Sequence, residues 1–284
     1  MIFLNVLYYL STCIRKAKSL IGDFLNIITS SQNNLVKKLK ALATSKGRKR
    51  FGEFIVEGNK FVLDISKEWE VTGTIFSESY AENASEEIRG ANNPIILKDR
   101  IFDAVSNTVN PAGVIAIVKI KDFKFLDILS CPKKFIIIAC NLQDPGNLGT
   151  LIRTAAAADV SGILVSKDSV DIWSPKVVRA TAGAIFNIPI VVDDIELAAV
   201  KVKESKIKLI ATDLSARESP YQTDLTKPLA LMVGNESKGL SSELLALADY
   251  KVKLPMALEV ESLNASVASG ILMYEVLRQR MWNN

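Results

Sequence analysis

The sequence predicts an α/β protein with two domains in tandem. Its 284 residues are about twice the ~150 residues of a typical domain. Short runs rich in β-branched residues alternate with segments of helical periodicity along most of the chain. One run, FIIIA at residues 135–139, is wholly apolar, which is typical of a central strand in a parallel sheet covered on both faces. We therefore expect a smaller α/β domain followed by an α/β domain with a parallel sheet.

The composition excludes several classes of protein. Hydrophobic residues make up 49% and charged residues 23% of the chain, which is typical of a globular protein and excludes a disordered or collagen-like chain. The chain has no histidine, which excludes Ser-His-Asp and Cys-His catalytic centres and His-ligated metals. The three cysteines, Cys13, Cys131 and Cys140, show no CxxC spacing, so we expect neither a disulfide framework nor a metal site.

Residues 1–26 form a separate N-terminal extension whose role the sequence does not define. Ten mostly apolar residues precede Arg15, Lys16 and Lys18, and this run is too short to span a bilayer, which takes ~20 residues. We interpret the extension as an amphipathic helix or as the product of a start site placed too far upstream, with a peripheral membrane anchor as a minor alternative.

The first domain is predicted over residues 27–121. Leu35, Val36, Leu39 and Leu42 recur at helical spacing, which predicts a basic amphipathic helix over residues 33–45. Strands are expected at residues 54–58, 71–76, 94–97 and 113–118, and helical segments at residues 61–69, 84–89 and 100–109.

Positive charge is concentrated near the start of this domain. Seven basic residues and no acidic residue lie between positions 37 and 50. Such a cluster can bind phosphate groups without reading a base sequence, although a merely solvated helix face would have the same composition. The candidate RNA-binding residues are Lys37, Lys38, Lys40, Lys46, Arg48, Lys49 and Arg50.

Residues 122–134 are expected to connect this domain to the second, which covers residues 135–284. Strands are predicted at residues 135–139, 162–165, 188–192, 208–212, 229–234 and 250–255. Helices fit between them, and a long helix is predicted over residues 264–281. Neither a GxGxxG turn nor a P-loop follows any of these strands, which disfavours an ordinary nucleotide-binding enzyme.

Three segments instead place polar residues at the ends of apolar strands, where open α/β sheets bind ligands. In the first, residues 141–160, we expect Asn147 to cap a helix that carries Arg153 among apolar neighbours. In the second, residues 231–256, Asn235 and Glu236 place an amide and a carboxylate at the end of a strand; taken alone, Glu236 is more simply a loop carboxylate. In the third, residues 261–280, Ser262 and Asn264 precede a helix rich in small residues, which is consistent with close helix packing or with an N-cap.

Taken together, these segments resemble the three motifs of the SpoU/TrmH-type RNA ribose 2′-O-methyltransferases of the SPOUT class, in the same order. The resemblance implies a deep trefoil knot in the C-terminal domain, S-adenosylmethionine as methyl donor, no metal, and a homodimer with the final helix in the interface. It implies Arg153, Asn147, Glu236, Ser262 and Asn264 as catalytic residues. The cofactor residues it implies are Gly234, Leu254 and Leu263, with Thr212 and Met256 as less secure additions.

Arg153 is not a credible general base, because an arginine guanidinium is effectively never deprotonated in proteins. We therefore expect Arg153 to stabilise the developing 2′-oxyanion and to bind an adjacent phosphate, and Glu236 to accept the proton.

The first domain resembles the αβα RNA-binding domains of ribosomal-protein type that some family members carry, most clearly in ITSSQNNLVKKLKAL and GRKRFGEFIVEGNKFV. Because such domains are commoner in rRNA-directed members, we predict an enzyme that acts on rRNA of the large subunit. The cysteine pattern favours a reducing cytoplasm, and we expect no membrane partner. A tRNA 2′-O-methyltransferase and a non-catalytic RNA-binding or ribosome-assembly factor are the alternatives. An antibiotic-resistance role in place of a housekeeping one is also open.

Overall fold

The computed structural model describes residues 27–83, 90–257 and 262–282. The predicted extension over residues 1–26 and the predicted helix over residues 84–89 lie outside these ranges. The chain divides into two compact units between Ile120 and Lys121. No helix in the described ranges is both long and apolar enough to cross a membrane.

The first unit is a five-stranded mixed sheet with helices. Its strand order is β1-β4-β3-β5-β2; β5 runs antiparallel to β2 and β3, whereas β4 runs parallel to β1 and β3. The strands are β1 (Ile27–Ile28), β2 (Glu53–Glu57), β3 (Val71–Ser77), β4 (Pro94–Leu97) and β5 (Val114–Lys119). The helices are α1 (Asn34–Leu42), α2 (Ser45–Phe51), α3 (Asn59–Leu63), α4 (Glu78–Ala81) and α5 (Asp99–Asp103).

The helix predicted over residues 33–45 corresponds to α1, which ends earlier, at Leu42, and is followed by a second helix. Asn33 caps α1 through its side chain, and the apolar stripe Val36, Leu39 and Leu42 is buried against the sheet, as the periodicity predicts. A second helix, α2, begins after Thr44, whose hydroxyl accepts the Gly47 N–H at 3.1 Å. A side chain at Gly47 would collide with α1, because a Cβ there would lie 1.9 Å from the Ala41 carbonyl oxygen. This contact between the two helices carries no periodic signal, and the sequence does not predict it.

The second unit has a six-stranded parallel sheet, which confirms the predicted α/β class. The strand order is β11-β9-β10-β6-β7-β8, and every pair is parallel. The strands are β6 (Phe135–Ala139), β7 (Gly162–Ser166), β8 (Ile190–Asp193), β9 (Lys208–Thr212), β10 (Leu229–Val233) and β11 (Tyr250–Val252). All five residues of the central β6 are buried, as expected of a strand covered on both faces.

The helices of this unit are α6 (Phe125–Leu129), α7 (Pro145–Ala157), α8 (Pro175–Ala180), α9 (Ile195–Glu204), α10 (Ser242–Leu247) and α11 (Ala265–Trp282). The helix α6 lies inside the segment expected to be a connection, and its Ile128 is fully buried in the core beneath the sheet together with Ile136 and Ile138. The segment therefore contributes to the folding of the second unit.

The helix α7 packs against α8 and α11. Close approach to α8 requires glycine at position 149, because a Cβ there would lie 2.4 Å from the Cβ of Ala180. Towards α11 the contact is looser: a Cβ at Gly270 would meet the Thr154 methyl group at 3.5 Å. This packing fixes α7 and α11, whose N-terminal ends carry the candidate site.

Candidate active site

The candidate residues lie at the carboxyl edge of the parallel sheet of the second unit. Strands β7 and β8 continue from β6 towards one side of the sheet, whereas β10, β9 and β11 lie on the other. The strand order therefore reverses at the β6–β10 boundary, and such a switch point opens a crevice where α/β proteins bind ligands. The loop that leaves β6 leads to Asn147 in the first turn of α7, and the loop that leaves β10 carries Glu236.

The start of α7 corrects one prediction. Asp144, rather than Asn147, is the N-cap residue: its side chain accepts the Asn147 backbone N–H at 2.8 Å, and Pro145 is the first helical residue. Asn147 therefore lies in the first turn. Its amide group is consequently not used in capping and is available for contacts across the crevice.

A chain of side-chain amides connects the three motif segments. The Oδ1 atom of Asn264 caps α11 by accepting the backbone N–H groups of Ser266 at 3.0 Å and Val267 at 3.3 Å. Its Nδ2 donates to Asn147 Oδ1 at 2.8 Å. Asn147 Nδ2 in turn donates to Glu236 Oε1 at 2.9 Å. Residues that are 89 and 117 positions apart in the chain are therefore in direct contact.

The backbone N–H groups at the start of α11 fix the direction of these hydrogen bonds. Because backbone N–H groups only donate, the Asn264 oxygen must face α11 and its NH₂ must face Asn147. Asn147 then presents its oxygen to Asn264 and its own NH₂ to Glu236. The series ends on a carboxylate oxygen of Glu236, which accepts the bond from Asn147. Glu236 is exposed to solvent, and its oxygens have lone pairs left for a ligand.

A cavity of about 350 Å³ lies beside this carboxylate, in the volume range of ligand pockets. All five predicted cofactor residues line it: Thr212, Gly234, Leu254, Met256 and Leu263. Glu236 and Ser262 line it as well. The sequence analysis missed further lining residues, chiefly Asp213, Lys253 and Leu272. Asp213 directly follows β9, so a search for polar residues at every strand end would have found it.

The cavity wall is chemically suited to an adenosine group with a charged tail. Leucine and methionine side chains at positions 254, 256 and 263 offer apolar contact area, and loop backbone groups supply donors and acceptors. The carboxylate of Asp213 is ionised at neutral pH, since hydrogen bonds from the Ser215 backbone and hydroxyl lower its pKa. The residues present therefore fit S-adenosylmethionine.

Gly234 allows the loop after β10 to close on itself beside the cavity. A Cβ at this position would lie 2.2 Å from the Gly239 carbonyl carbon and 2.5 Å from the Leu240 nitrogen. The loop after β10 closes on itself there, because Asn235 and Gly239 exchange backbone hydrogen bonds of 3.0 and 2.9 Å. Only glycine permits this approach, and the tight loop orients Glu236.

Arg153 lies apart from the amide chain. It is exposed on α7, and six residues beyond Asn147 correspond to about 9 Å of rise and a direction about 120° away around the helix. Among the described residues, no hydrogen bond or ion pair joins it to Asn147, Glu236 or Asn264. The guanidinium therefore faces solvent, where a phosphate can reach it.

Cys140, at the end of β6, does not supply a nucleophile. Burial raises the pKa of its thiol to about 12, so the group stays protonated at neutral pH. No group of three or more His, Cys, Asp or Glu side chains in the described ranges is placed to hold a metal ion.

In the first unit, the basic cluster keeps most of its exposed charge. Five of its members are exposed: Lys37, Lys40, Lys46, Lys49 and Arg50. Lys38 is half-buried and pairs with Glu53 at 2.6 Å. Arg48 is 4% exposed and donates to the Leu42 carbonyl at 2.8 Å. The prediction that Arg48 contacts phosphate is wrong, because its guanidinium is buried in the unit and bound to α1.

Comparison with known proteins agrees with these observations. The profile of the SpoU rRNA methylase family matches residues 134–274, and that of the MRM3-like substrate binding domain matches residues 33–116. An uncharacterised tRNA/rRNA methyltransferase of Synechocystis is 33% identical over 261 residues, covering 89% of this chain and 94% of the relative. The 23S rRNA (guanosine(2553)-2′-O)-methyltransferase RlmP of Bacillus subtilis is 31% identical over 250 residues, covering 88% and 98%.

A solved structure shows the same fold with the cofactor bound. The SpoU methyltransferase AviRb of Streptomyces viridochromogenes in complex with AdoMet has a TM-score of 0.79 and 29% sequence identity, over 88% of this chain and all of that chain. Fold, cavity and comparisons define an S-adenosylmethionine-dependent RNA ribose 2′-O-methyltransferase. The chain belongs to the SpoU rRNA methylase family.

Proposed function

We propose that this enzyme methylates a ribose 2′-hydroxyl of large-subunit ribosomal RNA. The observation that carries the proposal is the oriented carboxylate of Glu236, held by Asn147 at 2.9 Å beside the cavity. The rRNA substrate is supported by the relatives: RlmP is named for a 23S rRNA guanosine, and a methyltransferase of Streptomyces viridochromogenes for a 23S rRNA uridine.

In the proposed mechanism, S-adenosylmethionine supplies an electrophilic methyl group on a sulfonium. Glu236 accepts the proton of the 2′-hydroxyl as that oxygen bonds to the methyl carbon and the carbon–sulfur bond breaks. Asn147 keeps the carboxylate in a position to receive this proton, which is the geometric requirement for a general base. Thr212, Gly234, Leu254, Met256 and Leu263 hold the cofactor.

Arg153 binds the phosphate next to the target ribose and stabilises the charge that develops on the 2′-oxygen. Its exposure on α7 supports a contact with RNA, and its planar fork of donors matches a phosphate in a bidentate manner. Ser262, at the rim of the cavity, offers a hydroxyl to the cofactor or the ribose. Asn264 acts through its bond to Asn147.

The first unit supplies affinity for RNA. The match to a substrate binding domain over residues 33–116 supports this role, and the exposed lysines of α1 and α2 provide the charge. The only nearby aromatic side chain that is exposed among the described residues 27–57 is Phe51, which Lys38 and Arg50 cover at 5.6 and 5.2 Å. The unit thus favours recognition of RNA shape and phosphates over base stacking.

The enzyme is a homodimer through its second unit. The supporting observation is an apolar stripe on α11, formed by Val267, Ile271 and Tyr274, which are 51%, 38% and 51% exposed. They follow one another at spacings of four and three residues and so share a helix face. Exposed apolar stripes of this kind mark association surfaces.

Two further features belong to this proposal. The segments after β9, β10 and β11 meet at one cavity, which supports the deep trefoil knot of the SPOUT class. The path of residues 253–264 relative to residues 213–228 in a crystal structure tests the knot.

A cytoplasmic location is proposed because the proposed substrate, ribosomal RNA, is in the cytoplasm.

The deciding experiment measures tritium transfer from labelled S-adenosylmethionine to total rRNA and, separately, to tRNA, with 2′-O-methyl mapping of the product. We expect label in rRNA with the wild type and a loss of about 100-fold or more with Arg153→Ala and with Glu236→Gln. Label in tRNA alone would establish the alternative substrate. Cofactor binding without transfer to either RNA, or to ribosomal subunits, would establish a binding or assembly factor.

A further inference from the structure

We propose that Asn235 is a positioning residue of the methyl transfer, which acts by holding Glu236 in its productive orientation. The inference rests on the proposed function, because it assigns to Asn235 no contact with RNA or cofactor. Asn235 immediately precedes Glu236 in the loop after β10 and is half-buried.

The side chain of Asn235 uses both of its polar atoms. Its Oδ1 accepts the backbone N–H groups of Ser237 at 2.9 Å and Lys238 at 3.0 Å. Its Nδ2 donates to the carbonyl of Asn141 at 2.8 Å and lies 3.4 Å from Glu236 Oε2. One amide therefore orders the loop on both sides of Glu236 and joins that loop to the end of β6.

The anchor at β6 is itself fixed. Asn141 has a positive φ of 54°, which is uncommon for a residue with a side chain. Its N–H donates to Ser166 Oγ at 2.7 Å, and the preceding Cys140 N–H donates to the Val233 carbonyl at 2.8 Å. The carbonyl that receives the Asn235 amide is thus held by two neighbouring strands, β7 and β10.

Glu236 needs such a support because it is exposed, and packing does not restrict it. Asn147 reaches one carboxylate oxygen and Asn235 the other. Removal of the Asn235 amide leaves the loop closed, since the backbone bonds between Asn235 and Gly239 do not involve the side chain. It leaves the carboxylate held at one oxygen only, by Asn147, and the looser near-attack geometry lowers the rate of proton transfer.

Four charged side chains lie on the elements that surround Glu236. Lys238 belongs to the same loop, Asp213 and Lys253 line the cavity from the ends of β9 and β11, and Asp144 caps α7 beside Asn147. A carboxylate at position 235 would place a second negative charge where the present amide nitrogen lies 3.4 Å from Glu236 Oε2. Its charge would repel the carboxylate of Glu236.

The test is a double-mutant cycle on kcat under saturating RNA and cofactor, with Asn235→Ala, Glu236→Gln and the double variant. We expect Asn235→Ala to lower kcat by about 10–100-fold, while the dissociation constant for S-adenosylmethionine, from calorimetry, changes less than about threefold. In the Glu236→Gln background the same substitution has no further effect, because residues that act as a unit are non-additive. Asn92→Ala is the matched control: its Nδ2 also donates to a backbone carbonyl, that of Val71 at 2.7 Å, and kcat is expected to be unchanged.

Asn235→Asp gives a second measurement that does not depend on residual activity of the Glu236 variant. This substitution keeps both acceptor bonds to the loop N–H groups, and the acidic limb of the pH–rate profile is expected to move up by about one unit. An equal loss from Asn235→Ala in both backgrounds, loss of cofactor binding, or an unmoved acidic limb would each overturn the inference. Near-normal kcat for Glu236→Gln would instead overturn the proposed role of Glu236 itself, and the inference with it.

Discussion

Asn147 and Asn264 are 117 residues apart in the chain, and their side-chain amides are joined by a hydrogen bond of 2.8 Å. The bond joins the first turn of α7 to the N-terminus of α11. Asn264 also caps α11, so its oxygen faces that helix and its NH₂ faces Asn147. Asn147 therefore presents its own NH₂ to Glu236. The residue that caps α11 therefore also helps to set the geometry of the candidate site.

This relationship predicts the effect of Asn264→Asp. The carboxylate keeps the capping bonds to the Ser266 and Val267 N–H groups, so α11 stays intact. It loses the donor to Asn147, whose amide must turn its NH₂ towards the new charge and its oxygen towards Glu236. We expect kcat to fall by about 10²-fold or more with a melting temperature close to that of the wild type.

The control for this prediction is Asn264→Ser, which retains a capping oxygen but reaches less far. Thermal unfolding of both variants and methyl-transfer rates with rRNA form the measurement. Equal rates for Asn264→Asp and wild type would contradict the role assigned to the amide chain.

Much of this architecture was predictable because it depends on local patterns. The bounds predicted for β4, β6 and β9 agree with the structure, since apolar β-branched runs flanked by polar residues define buried strands. The five predicted cofactor residues were named from the motif resemblance, and they line one cavity because parallel strands end at one edge of the sheet.

What the sequence analysis missed depends on contacts between distant residues. The capping residue of α7 is Asp144 and not Asn147, and nothing in the local sequence says that Asn147 is reserved for Glu236. Arg48 looks like its exposed neighbours in sequence but lies against the end of α1. The bond from Asn235 to Asn141 spans 94 residues and has no periodic signal.

Two helical glycines in the second unit predict opposite responses to alanine. A Cβ at Gly149 would lie 2.4 Å from the Ala180 Cβ and 2.9 Å from the Val177 carbonyl oxygen, so Gly149→Ala separates α7 from α8. We expect a loss of about 1–3 kcal/mol in the free energy of unfolding. Gly270→Ala is the matched variant: its Cβ makes an ordinary contact at 3.5 Å, and helix propensity favours alanine by up to about 1 kcal/mol. Denaturant unfolding of the two variants checks both signs.

The proposed homodimer predicts the effect of a charge placed on the exposed stripe of α11. Ile271→Glu places a charge at the centre of the stripe of Val267, Ile271 and Tyr274, and burying an unpaired carboxylate in an interface is strongly unfavourable. We expect a shift from dimer to monomer in sedimentation velocity at micromolar concentration. Leu197→Glu, on α9 at 61% exposure, is the control and should stay dimeric. A dimeric Ile271→Glu variant would place the interface elsewhere.

The ion pair of Glu275, on the buried side of α11, is expected to make the stability of the second unit depend on pH in the acidic range. Arg278 binds both carboxylate oxygens at 2.7 and 2.8 Å, and these bonds lower the pKa of Glu275 below its ordinary value of 4.5 despite the opposing effect of burial. Because the folded-state pKa is the lower one, the stabilisation is fully present above about pH 4.5 and is lost as the pH falls through the folded-state value. We expect Glu275→Gln to lower the melting temperature at pH 7 and to flatten its fall between about pH 5 and pH 3. The control is Glu196→Gln, on the exposed face of α9, which should leave the dependence of the melting temperature on pH unchanged. If the melting temperature of Glu275→Gln fell with pH as steeply as that of the wild type, the ion pair would add no pH-dependent stability.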